Sequence, residues 1–121
     1  MFIIEDNSVD YKILSKTFDE SCVVEQSKSG DDAIKLLKRY GHSISIIILN
    51  LFISGMNGFE ILEKINENSE LKDIPIIVIS EDERKETCLK AIRAGAHDFI
   101  TKPLDSSLIV QKVKSILEHT K

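Results

Sequence analysis

Several classes of protein are excluded by what this sequence lacks. Its 121 residues contain no apolar run of membrane-spanning length, so we expect no transmembrane segment and no membrane partner. The formal net charge is −4, and general nucleic-acid binders need clustered positive charge, so we expect no nucleic-acid partner for this domain. Its 2 cysteines, Cys22 and Cys88, lie in separate predicted elements without metal-ligand spacing, which is typical of a reduced cytosolic pair.

Linkers and low-complexity segments are also missing, and we expect no signal peptide, because Met1 leads directly into the first predicted strand. With 42% hydrophobic residues, a chain of this length can bury a core without disulfides or metal ions. We therefore expect a single domain over residues 1–121, located in the cytoplasm.

The clearest element lies in residues 45–60. It opens with a run of β-branched and leucine residues that does not alternate with polar ones, which predicts a central parallel strand buried on both faces. The run ends at Asn50, and a loop containing Gly55 leads into a helical pattern. Ligands of open α/β sheets bind beyond the carboxyl ends of the strands, so Asn50 lies where chemistry is expected.

A strand followed by a helix is predicted five times along the chain. The predicted strands are residues 2–4, 22–24, 46–49, 76–79 and 99–100. Ser8 is placed to cap the first helix, and the fourth helix is predicted over residues 82–94. The pattern predicts an α/β fold, a doubly wound five-stranded parallel sheet with helices on both faces, and leaves the strand order open.

Polar residues end four of these strands: Glu5 and Asp6, Asn50, Ser80, and Lys102. In a parallel sheet these ends share one edge. Carboxylate and amide oxygens, a hydroxyl and an ammonium group suit a divalent cation together with a phosphoryl group. Taken singly, the acidic pair also fits a solvated strand end and the lysine an exposed loop.

Two further side chains have structural interpretations that stay open. Ser80 with Glu83 fits a capping box at the start of the fourth helix, as well as a phosphoryl contact. Phe99, on a short strand, fits a core position.

Four motifs, in order, resemble the receiver domains of two-component response regulators, the CheY-like group, essentially from end to end. They are FIIEDN at residues 2–7, GMNGFE at 55–60, IPIIVIS at 74–80 and GAHDFITKP at 95–103. The resemblance implies a flavodoxin-like (βα)5 fold with strand order 2-1-3-4-5. It also implies phosphorelay signalling through contacts with a histidine kinase or a downstream signalling protein, by a monomer or weak dimer that is not an enzyme.

The resemblance also implies roles for individual residues. Mg²⁺ would be held by Glu5, Asp6, residue 50 and the backbone carbonyl of Phe52. Ser80 and Lys102 would contact the phosphoryl group, Phe99 would be an aromatic switch, and the bond between Lys102 and Pro103 would be cis.

One departure from the family affects the chemistry directly. The family's phosphoacceptor is an aspartate, and this chain has Asn50 there, whose amide offers no comparable nucleophile. The lost charge weakens attraction for a divalent ion, so we expect Mg²⁺ binding to be weak or absent. Ser54 replaces a usual proline, and Glu81 replaces a small residue and adds negative charge beside the site.

Three functions stay open at this point. The chain is a pseudo-receiver that signals by protein contacts, or an ordinary phosphoaccepting regulator whose aspartate was replaced, or a flavodoxin-like small-molecule binder. The third is disfavoured because no glycine-rich phosphate loop follows the first strand. For the first, the expected partner surface is the fourth helix, fifth strand and last helix around Phe99, with four basic residues: Lys90, Arg93, Lys112 and Lys114.

Overall fold

The computed structural model describes residues 1–5, 7–18, 25–27, 30–53 and 56–119. The strands are β1 Phe2–Ile4, β2 Glu25–Ser27, β3 Ile47–Asn50, β4 Phe52–Ile53, β5 Met56–Asn57, β6 Ile76–Ser80 and β7 Asp98–Thr101. The helices are α1 Ser8–Phe18, α2 Gly30–Tyr40, α3 Gly58–Glu67, α4 Lys85–Arg93 and α5 Ser106–His119, with a 3-10 turn at Gly41–Ser43. None of the described helices is long and apolar enough to cross a membrane.

Five of the strands form one parallel sheet in the order β2-β1-β3-β6-β7. Counted along the chain, the strands of this sheet therefore lie in the order 2-1-3-4-5, which confirms the predicted fold class and strand order. The strand predicted at residues 22–24 lies outside the described residues, and the described second strand is Glu25–Ser27.

The central strand β3 packs on both of its faces, as its unbroken apolar run predicts. Ile47 and Leu49 belong to a core cluster that includes side chains of α2, α3 and α4. Ile48 points the other way, into a cluster that includes Leu14 of α1 and Ile109 of α5. Alternate side chains of a strand face opposite sides, so one strand ties both helical layers to the sheet. Each such buried side chain contributes about 1.5–3 kcal/mol to stability.

A tight return of the chain follows β3 and places the start of α3 beside the end of that strand. The strands β4 and β5 pair antiparallel, and the Gly58 N–H donates to the Leu51 carbonyl at 2.6 Å. A Cβ on Gly58 would lie 2.5 Å from the Leu51 backbone, so only glycine permits this approach.

Two predicted helix caps are wrong. Helix α1 is capped by Asn7, not Ser8: the Asn7 Oδ1 accepts from the N–H groups of Val9 and Asp10, both at 3.0 Å. Helix α4 begins at Lys85 rather than at residue 82, so Ser80 does not cap it. A short polar side chain of either type can cap a helix, so sequence alone did not choose between neighbours.

Candidate functional site

The carboxyl edge of the sheet brings Glu5, Asn50, Ser80 and Lys102 into one region, as the strand-end pattern predicts. Glu5, Asn50 and Ser80 are buried, and the Lys102 side chain is 8% exposed. Asp6 lies outside the described residues. The structure gives the contacts between these side chains. The roles that the family resemblance implies for them stay predictions.

Glu5 is the centre of the site, although its side chain has no exposed surface. Its Oε1 accepts hydrogen bonds from the Asn50 Nδ2 at 2.8 Å and from the Asn7 N–H at 3.0 Å. Its Oε2 forms an ion pair with the Lys102 Nζ at 3.1 Å. A buried carboxylate is tolerated only when it is paired and hydrogen-bonded, and these contacts provide both.

Two neighbours fix the orientation of the Asn50 amide. The Asn50 Oδ1 accepts from the Phe52 N–H at 3.1 Å, while its Nδ2 donates to Glu5. Exchanging the oxygen and nitrogen would set two donors against each other at Phe52 and two acceptors at Glu5. An aspartate here could still accept from Phe52 but would place a second carboxylate against Glu5.

Lys102 contacts a residue that the sequence did not single out. Its Nζ lies 2.7 Å from the Oδ2 of Asp10, on the first turn of α1, in addition to its contact with Glu5. Desolvation by burial lowers the pKa of Lys102, but the hydrogen bond to Asp10 and the charge of Glu5 outweigh it, so the pKa is raised above 10.5. Lys102 therefore remains a cation.

Ser80 takes part in the loop between β6 and α4. Its buried Oγ accepts from the Asp82 N–H at 3.0 Å. The Asp82 carboxylate accepts in turn from the Arg84 guanidinium at 2.7 Å and the Thr87 hydroxyl at 2.7 Å. These hydrogen bonds, that from Arg84 first, hold the pKa of Asp82 well below its usual range. Glu81, the residue between Ser80 and Asp82, is exposed.

The oxygen atoms of the described site residues are poorly available as ligands for a divalent cation. Both Glu5 oxygens are engaged by cationic or N–H groups, and the Asn50 oxygen accepts from a backbone N–H. Within the described residues, no three His, Cys, Asp or Glu side chains come together in a way that could hold a metal ion. The Phe52 carbonyl stays a prediction as a ligand, as does Asp6.

The predicted partner surface combines basic and apolar side chains. Phe99 is half-buried and packs against the core cluster that includes Ala91 of α4, and its switch role stays a prediction. Two of the four basic residues already have intramolecular contacts: Lys112 pairs with Asp98 at 2.8 Å, and Lys90 lies over the Phe59 ring.

Sequence reasoning missed three residues of interest. Asp10 could have been found, because the first turn of a helix that follows β1 lies at the same edge as the strand ends. Leu89 and Ile92, three residues apart on α4, are 43% and 41% exposed beside the predicted partner surface. Their spacing alone fits a buried stripe equally well.

Comparison with known proteins gives consistent results. The chain matches the response regulator receiver domain family over residues 1–114. It is 30% identical over 115 residues to the two-component response regulator ORR5 of Oryza sativa subsp. japonica, covering 94% of this chain and 85% of that protein. It is 33% identical over 119 residues to the hybrid signal transduction histidine kinase L of Dictyostelium discoideum, covering 94% of this chain and 7% of that protein.

Solved structures agree on the fold. The phosphorylated cyanobacterial phytochrome response regulator RcpA superposes with a TM-score of 0.80 at 27% identity, covering 97% of this chain and 89% of that one. The Francisella response regulator 1452 receiver domain gives 0.87 at 17% identity, with coverage of 99% and 97%, which shows the fold alone. Together with the family match and the strand order, these similarities confirm the resemblance seen in the four motifs: the chain belongs to the response regulator receiver domains of two-component signalling.

Proposed function

We propose that this chain is a receiver domain that signals through protein contacts and does not accept a phosphoryl group at residue 50. One observation carries the proposal: the Asn50 amide is an integral hydrogen-bond donor to the buried Glu5. The side chain at this position stabilises the site in place of serving as a nucleophile. An amide nitrogen with a delocalised lone pair offers no route to an acyl phosphate.

A second candidate is an ordinary phosphoaccepting regulator whose aspartate was replaced. The placement of Ser80 and Lys102 at the same sheet edge as residue 50 supports it, because hydroxyl and ammonium groups suit phosphoryl oxygens. The exposed Glu81 and the pairing of Lys102 with Asp10 favour the first candidate.

Restoring the carboxylate separates the two candidates. Asn50→Asp and the double variant Asn50→Asp with Glu81→Ala would be incubated with acetyl phosphate and Mg²⁺, and their intact masses followed over time, with the unmodified chain as control. Fast, equal labelling of both variants supports a replaced acceptor in a working site. Slow or no labelling of the single variant supports the pseudo-receiver. A base-labile adduct on residue 50 of the unmodified chain, without prior deamidation, would contradict the proposal.

The proposed partner is a histidine kinase or a downstream signalling protein that docks on α4, β7 and α5. Exposed Leu89 and Ile92 on α4, together with half-buried Phe99 on β7, supply apolar side chains to that surface, which suits a binding hot spot. Phe99→Ala should weaken binding of such a partner while the thermal midpoint changes little. Val9→Ala on α1, also an exposed apolar site, is the matched control; if only the Val9 variant loses binding, the surface is wrong.

We further infer that Mg²⁺ binds weakly or not at all, and that the domain acts in the cytoplasm as a monomer or weak dimer. The engaged oxygens of Glu5 and Asn50 support the first part. Isothermal titration calorimetry of the unmodified chain should show no tight site; saturation at micromolar Mg²⁺ would contradict it.

A further inference from the structure

We infer that the ammonium group of Lys102 is the resident cation of this site, held by Asp10 and Glu5, and that it supplies the positive charge that the family resemblance assigns to a divalent metal ion. This inference rests on the proposed function, since it concerns the same site. It adds a role for Asp10 and a reason for the amide at residue 50.

The contacts of the ammonium group support this assignment. Lys102 donates to the Asp10 Oδ2 at 2.7 Å and lies 3.1 Å from the Glu5 Oε2. Its side chain is 8% exposed, against 27% for Lys112, which pairs with Asp98. The Asp10 carboxylate therefore accepts a hydrogen bond from the ammonium group, and Glu5 lies within ion-pair distance of it.

The amide of Asn50 completes this arrangement. The Glu5 oxygen that faces away from Lys102 accepts from the Asn50 Nδ2 and the Asn7 N–H. Among the described residues, a carboxylate at residue 50 would add a third negative charge, after those of Glu5 and Asp10, around the Lys102 ammonium group. The neutral donor at residue 50 limits the negative charge beside Glu5, and the carboxylate at residue 10 holds the ammonium group at this site.

This internal cation ties separate elements of the receiver together. Glu5 follows β1, Asp10 lies on α1, and Lys102 follows β7, so one ammonium group joins the ends of the first and last strands and the first helix. A domain closed in this way should hold one conformation whether or not divalent ions are present.

Amine labelling tests the role of Asp10 in the unmodified chain and needs no phosphodonor. Limited acylation with peptide mapping should label Lys102 more slowly than Lys112. Asp10→Asn should accelerate labelling of Lys102 about tenfold, the factor expected for loss of one charge-assisted hydrogen bond, and leave Lys112 unchanged. Asp98→Asn is the matched control and should accelerate labelling of Lys112 while leaving labelling of Lys102 unchanged. Labelling of Lys102 as fast as Lys112 in the unmodified chain, or no response to Asp10→Asn, would overturn the assignment.

Thermal midpoints with and without MgCl₂ test the replacement of the metal ion. Saturating Mg²⁺ should leave the midpoint of the unmodified chain unchanged and raise that of Lys102→Met, because a ligand that binds only the folded state stabilises it. An equal rise in both proteins would overturn the inference, as would no rise in the folded variant. Either failure leaves standing the proposal that residue 50 does not accept a phosphoryl group, since neither measurement depends on phosphorylation.

Discussion

Two ion pairs lie at the same edge of the sheet, one buried and one exposed to solvent. Glu5 pairs with Lys102 where their side chains are 0% and 8% exposed. Asp82 pairs with Arg84 where the exposures are 17% and 72%. The nitrogen–oxygen contact is shorter in the Asp82 pair, 2.7 Å against 3.1 Å in the Glu5 pair. The Arg84 side chain also donates several hydrogen bonds to the Asp82 carboxylate.

Burial rather than contact length decides which pair matters more for stability. Water and salt screen the Asp82 pair, and such exposed pairs contribute little. Removing one partner of a buried pair leaves an uncompensated charge in a medium that solvates it poorly. The pKa of Asp82 is strongly lowered, yet we expect its loop to contribute less to stability than the buried network, because the Asp82 pair is exposed.

Lys102→Met should have the largest effect, because Glu5 loses its cation while its carboxylate stays buried. We expect a loss of about 3–5 kcal/mol in the free energy of unfolding, measured by urea denaturation. Lys112→Met, at the half-exposed pair with Asp98, is the control and should lose no more than about 1 kcal/mol. Equal losses would show that burial does not separate the two pairs.

Asn50→Asp should destabilise the fold by about 1–3 kcal/mol, because Glu5 loses a donor and gains a neighbouring negative charge. The measurement is again urea unfolding, without divalent ions. Asn57→Asp makes the same chemical change at the cap of α3, where the side-chain oxygen accepts from the Phe59 N–H, so its stability should be unchanged or slightly higher. An Asn50→Asp protein more stable than the parent would contradict the buried network described here.

Alkaline pH should weaken the Lys102 network in a defined direction. The folded pKa of Lys102 is raised above 10.5, so its stabilisation is fully present below that value and is lost as pH rises through the higher folded pKa. As pH rises from neutral, the difference in free energy of unfolding between the unmodified chain and Lys102→Met should therefore begin to decrease only above pH 10.5. Urea midpoints of both proteins across alkaline pH test this; a gap that closes near neutral pH would rule it out.

Asp82→Asn should have the smallest effect, within the error of a urea titration at neutral pH, despite the three groups that donate to this carboxylate. Because the folded pKa of Asp82 is lowered, its contribution is present above the usual value of 3.8 and is lost as pH falls below it. A loss as large as that of Lys102→Met would show that exposed networks at this edge are energetically equal to buried ones.

Periodicity alone identified the central strands, because a run such as that of β3 has few alternatives to burial on both faces. Strand order required the family resemblance. The predicted starts of α1 and α4 were wrong for local reasons. Asn7 and Ser8 are both good helix caps, and the structure uses Asn7. Hydrogen bonds of Asp82, rather than a capping box, organise the loop before α4. Such choices depend on where neighbouring backbone N–H groups point.

The sequence by itself determined that residue 50 carries no carboxylate, and that polar strand ends collect at one edge, because both follow from residue type and from parallel strands. Only the tertiary structure decided which groups pair there. The Asn50 amide meets Glu5 across a separation of 45 residues, and Lys102 meets Asp10 across 92. A hydrogen bond requires donor and acceptor within about 3 Å and correctly aimed. Pairing of β1 with β3 sets the first contact, and packing of α1 against the sheet sets the second, so no local pattern of residues encodes either.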